Sequence, residues 1–197
     1  SFITSYMCKE SLEKVVLQKF KDKNPSWNAQ SLEDIEEEIR REIRKARSDK
    51  SLDCFAIARN DDKMNISNDE IIKNKYKAIL EEIRICDPAV GSGHFLVSAL
   101  NETVYIYYKL GLLNIPISDL RIENDEILIK DLEGKNFEYF RPKLENDNHK
   151  IQREIFNLKK SIIENNLFGV DINPNSCEIT KLRLWIELLK NSYYLSF

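Results

Sequence analysis

The spacing of apolar and polar residues predicts helices through the first part of the chain. Apolar positions recur at intervals of three and four in three segments, residues 4–20, 31–47 and 69–82. In the third segment this spacing places five residues on one side of the helix: Ile71, Ile72, Tyr76, Ile79 and Leu80. Asn24-Pro25-Ser26 separates the first two helices, and the polar stretch 48–68 predicts a loop with one short helix near residues 54–58. We therefore predict a helical N-terminal region over residues 1–82.

From residue 83 onward the pattern alternates strands with helices. Residues 83–86 and 166–171 have the character of short buried strands. Helices are predicted at three places, residues 94–112, 147–165 and 175–191. The last helix carries an apolar face that we expect to pack in the core, formed by Leu182, Trp185, Ile186 and Leu189. This alternation predicts an α/β unit over residues 83–197.

Residues 119–141 depart from that alternation. Residues 126–130 and 136–140 alternate in polarity on either side of Leu132-Glu133-Gly134-Lys135. Such a pattern is typical of a β-hairpin. We interpret it as a hairpin inserted into the α/β unit.

Composition and charge narrow the class of protein. The 197 residues are 42% hydrophobic and 32% charged, with a net charge of −3 and a pI of about 5.6. A domain that binds DNA by itself usually has an excess of basic residues. If the protein binds DNA, we therefore expect most of the DNA-binding surface to lie outside these residues. The four cysteines form no Cys-x-x-Cys pair and the two histidines are far apart, which argues against a zinc site and indicates reduced, intracellular thiols. No apolar run approaches the ~20 residues that span a membrane.

Two predicted strand ends carry the candidate chemistry. The first strand runs into a glycine loop that opens with Asp87, and the second ends at Asp171. Ligands of open parallel sheets bind at the carboxyl ends of strands, and an acid there can accept ribose hydroxyl protons, which favours a nucleoside-containing cofactor. Leu96 stands where a dinucleotide loop has its third glycine, and the Gly-Lys-Ser/Thr of a phosphate loop is absent. An acid in the loop suits a cation such as an ammonium group better than pyrophosphate.

These two segments resemble motifs of the DNA adenine-N6 methyltransferases of bacterial restriction–modification systems, including fused restriction–modification enzymes. The stretch Asp-Pro-Ala-Val-Gly-Ser-Gly-x-Phe-Leu at 87–96 is similar to their first motif, and Gly-Val-Asp-Ile-Asn-Pro at 169–174 with the helix after it is similar to their second. Residues 3–7 resemble the segment that comes after the family's Phe/Tyr-Tyr-Thr-Pro motif. The resemblance covers most of residues 83–191 and, more loosely, residues 1–20. It implies a partial Rossmann-like class I methyltransferase sheet in residues 83–197.

The same resemblance assigns roles to particular residues. It implies that S-adenosylmethionine is the cofactor, with its methionine end near Asp87 and the backbone of the glycine loop, its ribose on Asp171 and its adenine on Ile172. The full set of cofactor-binding residues that it implies is Asp87, Pro88, Ala89, Gly91, Ser92, Gly93, Phe95, Asp171 and Ile172. The implied activity is methyl transfer to adenine N6 in double-stranded DNA, in the bacterial cytoplasm.

The resemblance also indicates which catalytic element is missing. The family holds its target base with Asn-Pro-Pro-Tyr/Phe, which does not occur in these 197 residues, so we expect no catalytic residue here and an inactive fragment of a longer protein. Asn173-Pro174-Asn175 lacks the second proline and is better explained as a helix start, and Asn24-Pro25-Ser26-Trp27 follows no buried strand. A methyltransferase acting on RNA or protein, and a non-catalytic interaction module, remain alternatives. The open edge of so small a sheet predicts self-association or disorder near that edge.

Overall fold

The computed structural model describes residues 2–48, 67–137 and 147–192 of the chain. The helices are α1 (Phe2–Lys23), α2 (Leu32–Ser48), α3 (Asn68–Glu81), α4 (His94–Lys109), α5 (Asp147–Asn165) and α6 (Pro174–Leu189). The strands are β1 (Ile85–Asp87), β2 (Ile117–Glu123), β3 (Glu126–Asp131) and β4 (Leu167–Gly169). The architecture is therefore mixed α/β, with six helices and two small sheets among the described residues.

The three predicted N-terminal helices are confirmed as α1, α2 and α3. They meet around a cluster of stacked aromatic rings, in which the centroid of Tyr76 lies 5.9 Å from that of Phe20 and 5.4 Å from that of Trp27. Ser67 begins α3 because its hydroxyl accepts the free backbone N–H of Glu70. Of the five residues that the spacing places on one side of α3, Ile71 is 56% exposed while its neighbour Ile72 is buried. The short helix predicted near residues 54–58 lies outside the described residues.

A two-stranded parallel sheet joins the first half of the chain to the second. β1 pairs with β4 in the register Ile85–Leu167, Cys86–Phe168 and Asp87–Gly169. Asn166, which is buried just before β4, donates from its side-chain amide to the carbonyl oxygens of Leu80 at 3.1 Å and Ile83 at 2.7 Å. These bonds satisfy backbone groups where α3 ends, so they fix the position of the sheet against the N-terminal helices.

Helix α4 lies at the centre of the molecule. Its residues contact α1, the β2–β3 hairpin, β1, β4, α5 and α6. Leu100 and Val104 are fully buried, and the buried set on this helix continues around most of its circumference. The residues before and after position 82 share one hydrophobic core across the α1–α4 contact, and the division into two domains stays a prediction.

The hairpin lies in the predicted region but its strands are assigned differently. The prediction paired residues 126–130 with 136–140, whereas β3 pairs mainly with β2 across the turn Asn124-Asp125. Both turn residues have positive φ, 53° and 63°, which asparagine and aspartate tolerate better than most residues, as tight hairpin turns require. In the described residues the predicted pairing is present at its start, where Lys130 bridges to Asn136 and the N–H of Phe137 donates to the carbonyl oxygen of Ile129 at 2.7 Å. Residues 138–141 lie outside the described part of the chain.

The prediction for the last helix was wrong about which side is packed. Leu182, Trp185, Ile186 and Leu189 share one face of α6, but each is 45–57% exposed. The buried residues of α6 are Thr180, Leu184 and Glu187, which the 100° helical rotation places on the opposite side. Lys159 of α5, itself buried, lies 3.8 Å from the Glu187 carboxylate and helps to hold this polar side inward. In the described residues, no helix is long and apolar enough to cross a membrane.

Candidate functional site

The carboxyl ends of β1 and β4 meet at one edge of the parallel sheet. Asp87 is in register with Gly169, and the backbone N–H of Val170 donates to the carbonyl oxygen of Asp87 at 2.9 Å. The N–H of Val90 then donates to the carbonyl oxygen of Val170 at 3.0 Å. The ladder between the strands therefore continues into the loop. This places the two predicted acids, Asp87 and Asp171, at the same edge.

Glycines allow the loop to lie this close to its neighbours. Gly91 and Gly93 have φ of 53° and 77°, the left-handed region in which a side chain is unfavourable. A Cβ on Gly93 would lie 2.9 Å from the side chain of Thr180, and one on Gly169 would lie 2.8 Å from Val90. Gly93 is buried and begins α4, so here it serves the contact between loop and α6. Gly91 is partly exposed and open on its Cβ side, so a ligand can approach the loop closely at this position.

Asp171 connects the loop to the second strand end. Its carboxylate accepts the backbone N–H of Asn173 and that of Gly91, both at 2.8 Å. These two hydrogen bonds lower the pKa of Asp171 below its ordinary range, because they favour the charged form, and the bond from Asn173 has the larger effect. A carboxylate has about four lone-pair sites, so acceptor capacity remains after these two bonds. Asp171 is thus an anion held rigidly at the edge of the sheet.

The other predicted site residues surround this edge in different ways. Asp87 accepts the N–H of Ala89 at 3.1 Å, which closes the first turn of the loop. Exposed positions are Pro88, Ala89, Ser92 and Ile172, and the side chain of Ile172 is free of contacts at 103% exposure. Phe95 is half-buried and packs against the core beside the loop. The structure thus places all nine predicted residues on one continuous loop and strand edge, while their role in binding stays a prediction.

Two residues of α6 contribute to the site and were not among the predicted set. The hydroxyl of Thr180 donates to the carbonyl oxygen of Gly91, and the guanidinium of Arg183 donates to that of Ser92, both at 3.2 Å. Both contacts satisfy carbonyl groups of a loop that has few backbone partners of its own. No pattern within the sequence marks them, because these contacts join residues about ninety positions apart. Among the described residues, no group of His, Cys, Asp or Glu side chains could hold a metal ion.

The fold and the site together define a mixed α/β protein with a glycine loop and an anionic edge between two parallel strands. Comparison with known proteins adds a relative, a protein of Methanocaldococcus jannaschii named "Putative type II restriction enzyme and methyltransferase". The two sequences are 33% identical over 189 residues, which is 96% of this chain and 11% of that protein. The chain is therefore related to one segment of a much longer protein. No protein-family model matches the chain, and no solved structure matches it.

Proposed function

We propose that this chain is the cofactor-binding part of an S-adenosylmethionine-dependent DNA adenine-N6 methyltransferase of a restriction–modification system. The observation that carries the proposal is the acid-containing glycine loop joined by hydrogen bonds to Asp171 at the ends of two paired strands. The relation to a protein named as a restriction enzyme and methyltransferase supports it. In this proposal β1, β4 and the helices after them are part of a Rossmann-like methyltransferase sheet.

The residues present fit the proposed cofactor. The ionised carboxylate of Asp171 has remaining lone pairs that can accept the ribose hydroxyls. Ile172 has a fully exposed apolar side chain next to that acid, which suits contact with an adenine ring. Asp87 and the partly exposed glycine loop would hold the methionine end. When bound, S-adenosylmethionine supplies the methyl group, and the residues of this chain bind and orient it.

The catalytic group of the proposed reaction lies outside these residues. Asn173 caps α6, because its side-chain oxygen accepts the N–H of Asn175 at 3.0 Å and Pro174 occupies the first turn. This confirms Asn173-Pro174-Asn175 as a helix start. Trp27 packs with Phe20 and Tyr76, so that aromatic ring is engaged in the core instead of being available to a base. We propose that adenine capture and most DNA contacts belong to other parts of a longer protein.

Isothermal titration of the chain with S-adenosylmethionine tests the proposal. We expect binding, and we expect Asp171→Asn to weaken it by about tenfold or more, because a charge-assisted hydrogen bond contributes about 1.5–3 kcal/mol. Asp22→Asn is a matched control, since it removes an exposed acid of α1 far along the chain from the site. Binding of NAD without binding of S-adenosylmethionine would show that the site serves another cofactor.

We also propose that the chain self-associates through the outward side of α6. This apolar stripe is formed by Leu182, Trp185, Ile186 and Leu189, each 45–57% exposed. Four neighbouring apolar side chains exposed to this extent on one helix face form a patch of the kind that marks interaction sites. A second copy of the chain offers the same surface, so association of two copies covers both.

A further inference from the structure

A second candidate site lies away from the glycine loop. A cleft of about 670 Å³ opens between α1, α4 and the β2–β3 turn, within the size range of small-molecule sites. The residues that line it and matter here are Tyr6, Lys9, Glu102, Tyr105, Arg121 and Asp125. Glu102 follows the start of α4 by eight residues, about 12 Å along the helix axis. The cleft therefore lies beside the middle of α4, whereas the glycine loop comes before its first residue, and the two share no lining residue.

Glu102 is the most informative residue of the cleft. It is 5% exposed, yet the hydrogen bond that it accepts within the described residues is a long one, 3.5 Å from the hydroxyl of Ser5. A carboxyl buried to this extent normally has several close hydrogen-bond partners, because an unsatisfied one is costly. Burial, more than the nearby charges of Lys9, Glu13 and Asp125, raises the pKa of Glu102 to about 7. The group can thus accept or donate a hydrogen bond near neutral pH, and it borders an open volume.

The walls of the cleft add two further kinds of contact. Tyr6 is 57% exposed and Tyr105 is half-buried, so both present aromatic surface to the cleft. Lys9 is exposed, and Arg121 pairs with Glu123 at 3.1 Å in a half-exposed ion pair of the kind that contributes little. Both cations can therefore turn to a ligand. The cleft combines aromatic rings, a hydrogen-bonding carboxyl and two positive charges.

We propose that this cleft binds a nucleotide, with its base against Tyr6 and Tyr105, the amino edge of the base at Glu102, and its phosphate at Lys9 and Arg121. The two rings, the Glu102 carboxyl and the two cations each have a partner in such a ligand, through stacking, a base-edge hydrogen bond and phosphate contact. Glu102 would repel a simple anion, and Lys9 and Arg121 would repel a simple cation. The ligand is a free nucleotide or one residue of a nucleic-acid strand, and the proposal does not depend on S-adenosylmethionine binding elsewhere.

Titration of the chain with AMP, and with IMP as the analogue that lacks the amino group, tests the base contact. We expect AMP to bind more tightly than IMP. Glu102→Met, which keeps volume without hydrogen bonding, should weaken AMP by about tenfold and erase the preference over IMP. Glu102→Gln is the rescue variant, because a side-chain amide pairs with the amino edge of adenine. Equal weakening by both variants would overturn the assignment of Glu102.

Lys9→Ala and Arg121→Ala test the phosphate contact. Each should weaken AMP severalfold and reduce the salt dependence of binding, while Lys14→Ala, an exposed lysine of α1 outside the cleft, should not. A short single-stranded oligoadenylate that binds at least tenfold more tightly than AMP identifies a strand as the source of the nucleotide, and equal affinity identifies the free nucleotide. No binding of either probe at millimolar concentration overturns the proposal.

AMP could also enter the glycine-loop site, and Asp171→Asn separates the two locations. Binding that survives Asp171→Asn and is lost with Glu102→Met belongs to the cleft. Binding that S-adenosylmethionine displaces and Asp171→Asn abolishes belongs to the glycine loop. The second outcome overturns the cleft proposal and leaves the proposed function standing.

Discussion

Helices α4 and α6 occupy equivalent places in the chain, since each comes after a short parallel strand and a loop, yet they are covered very differently. Eleven of the sixteen residues of α4 are buried, against three of the sixteen residues of α6. α4 is enclosed by α1, the hairpin, α5 and α6 on its several sides. α6 is anchored by Thr180 and Arg183 to the glycine loop and by Glu187 to Lys159, so its polar side is inward.

The contrast between these helices shows that apolar spacing identifies an apolar face of a helix but does not show whether another part of the protein packs against that face. The stripe at Leu182 and Trp185 is as regular as the apolar pattern of α4. Specific hydrogen bonds to the loop determine how α6 is rotated, and the stripe then points away from the core. An exposed apolar surface of this extent generally marks an interaction site.

The largest expected effect is a difference in stability between substitutions in α4 and in α6. Leu100→Ala removes a fully buried side chain from α4 and should lower the free energy of unfolding by about 2–5 kcal/mol through lost contacts and a cavity. Leu182→Ala, at a position 54% exposed on α6, should lower it by less than about 1 kcal/mol. Urea unfolding followed by circular dichroism at low protein concentration measures both. Comparable losses would mean that α6 is packed through its apolar side after all.

An intermediate effect is expected where the two helices meet, at Gly93 and Thr180. Gly93 and Gly134 have nearly equal φ, 77° and 79°, so an alanine at either position costs about 1–2 kcal/mol of backbone strain. A Cβ on Gly93 would also approach Thr180 to 2.9 Å, whereas Gly134 has nothing within 4 Å. We expect Gly93→Ala to destabilise the protein by at least about 1 kcal/mol more than Gly134→Ala, as urea unfolding of the two variants would measure.

A double-mutant cycle checks the cause of that difference. Thr180→Ala removes the two atoms, Cγ2 and Oγ1, that a Cβ on Gly93 would approach to 2.9 Å, so the combined variant should lose less stability than the sum of the two single variants. Strict additivity of the two losses would show that the close approach of α4 and α6 is not the reason for glycine at this position.

The smallest effect on stability is expected at the outward side of α6. The double substitution Leu182→Glu/Trp185→Glu should change the free energy of unfolding by about 1 kcal/mol or less, because both side chains are more than half exposed. It should nevertheless abolish self-association, which sedimentation velocity at several concentrations would detect. Ile71→Glu is the control, since it places the same charge at a 56% exposed apolar position on α3. If the chain without substitutions sediments as a monomer at every concentration, self-association is refuted.

Much of the local structure could be predicted because it depends on neighbouring residues. Helical spacing located α1, α2, α3 and α5, while the strand-like segment at residues 83–86 overlaps β1 and the segment at 166–171 contains β4. The glycine loop was recognisable from the residue types around Asp87. Strand β2 and its turn were missed because Asn124-Asp125 forms the turn without a glycine, the usual signal of a tight hairpin. Thr180 and Arg183 were missed because their loop contacts join residues about ninety positions apart.

The amino-acid sequence alone establishes where most helices lie, that an acid and two glycines come after one strand, and that a second acid comes after another. These features depend on backbone preferences and side-chain chemistry within a few residues. Tertiary contacts were needed to establish that Asp171 bonds to the glycine loop, that Glu102 borders a cleft, and that α6 presents its apolar stripe outward. The rotation of a helix and the neighbours of a buried carboxyl depend on contacts between distant segments, which spacing along the chain does not encode.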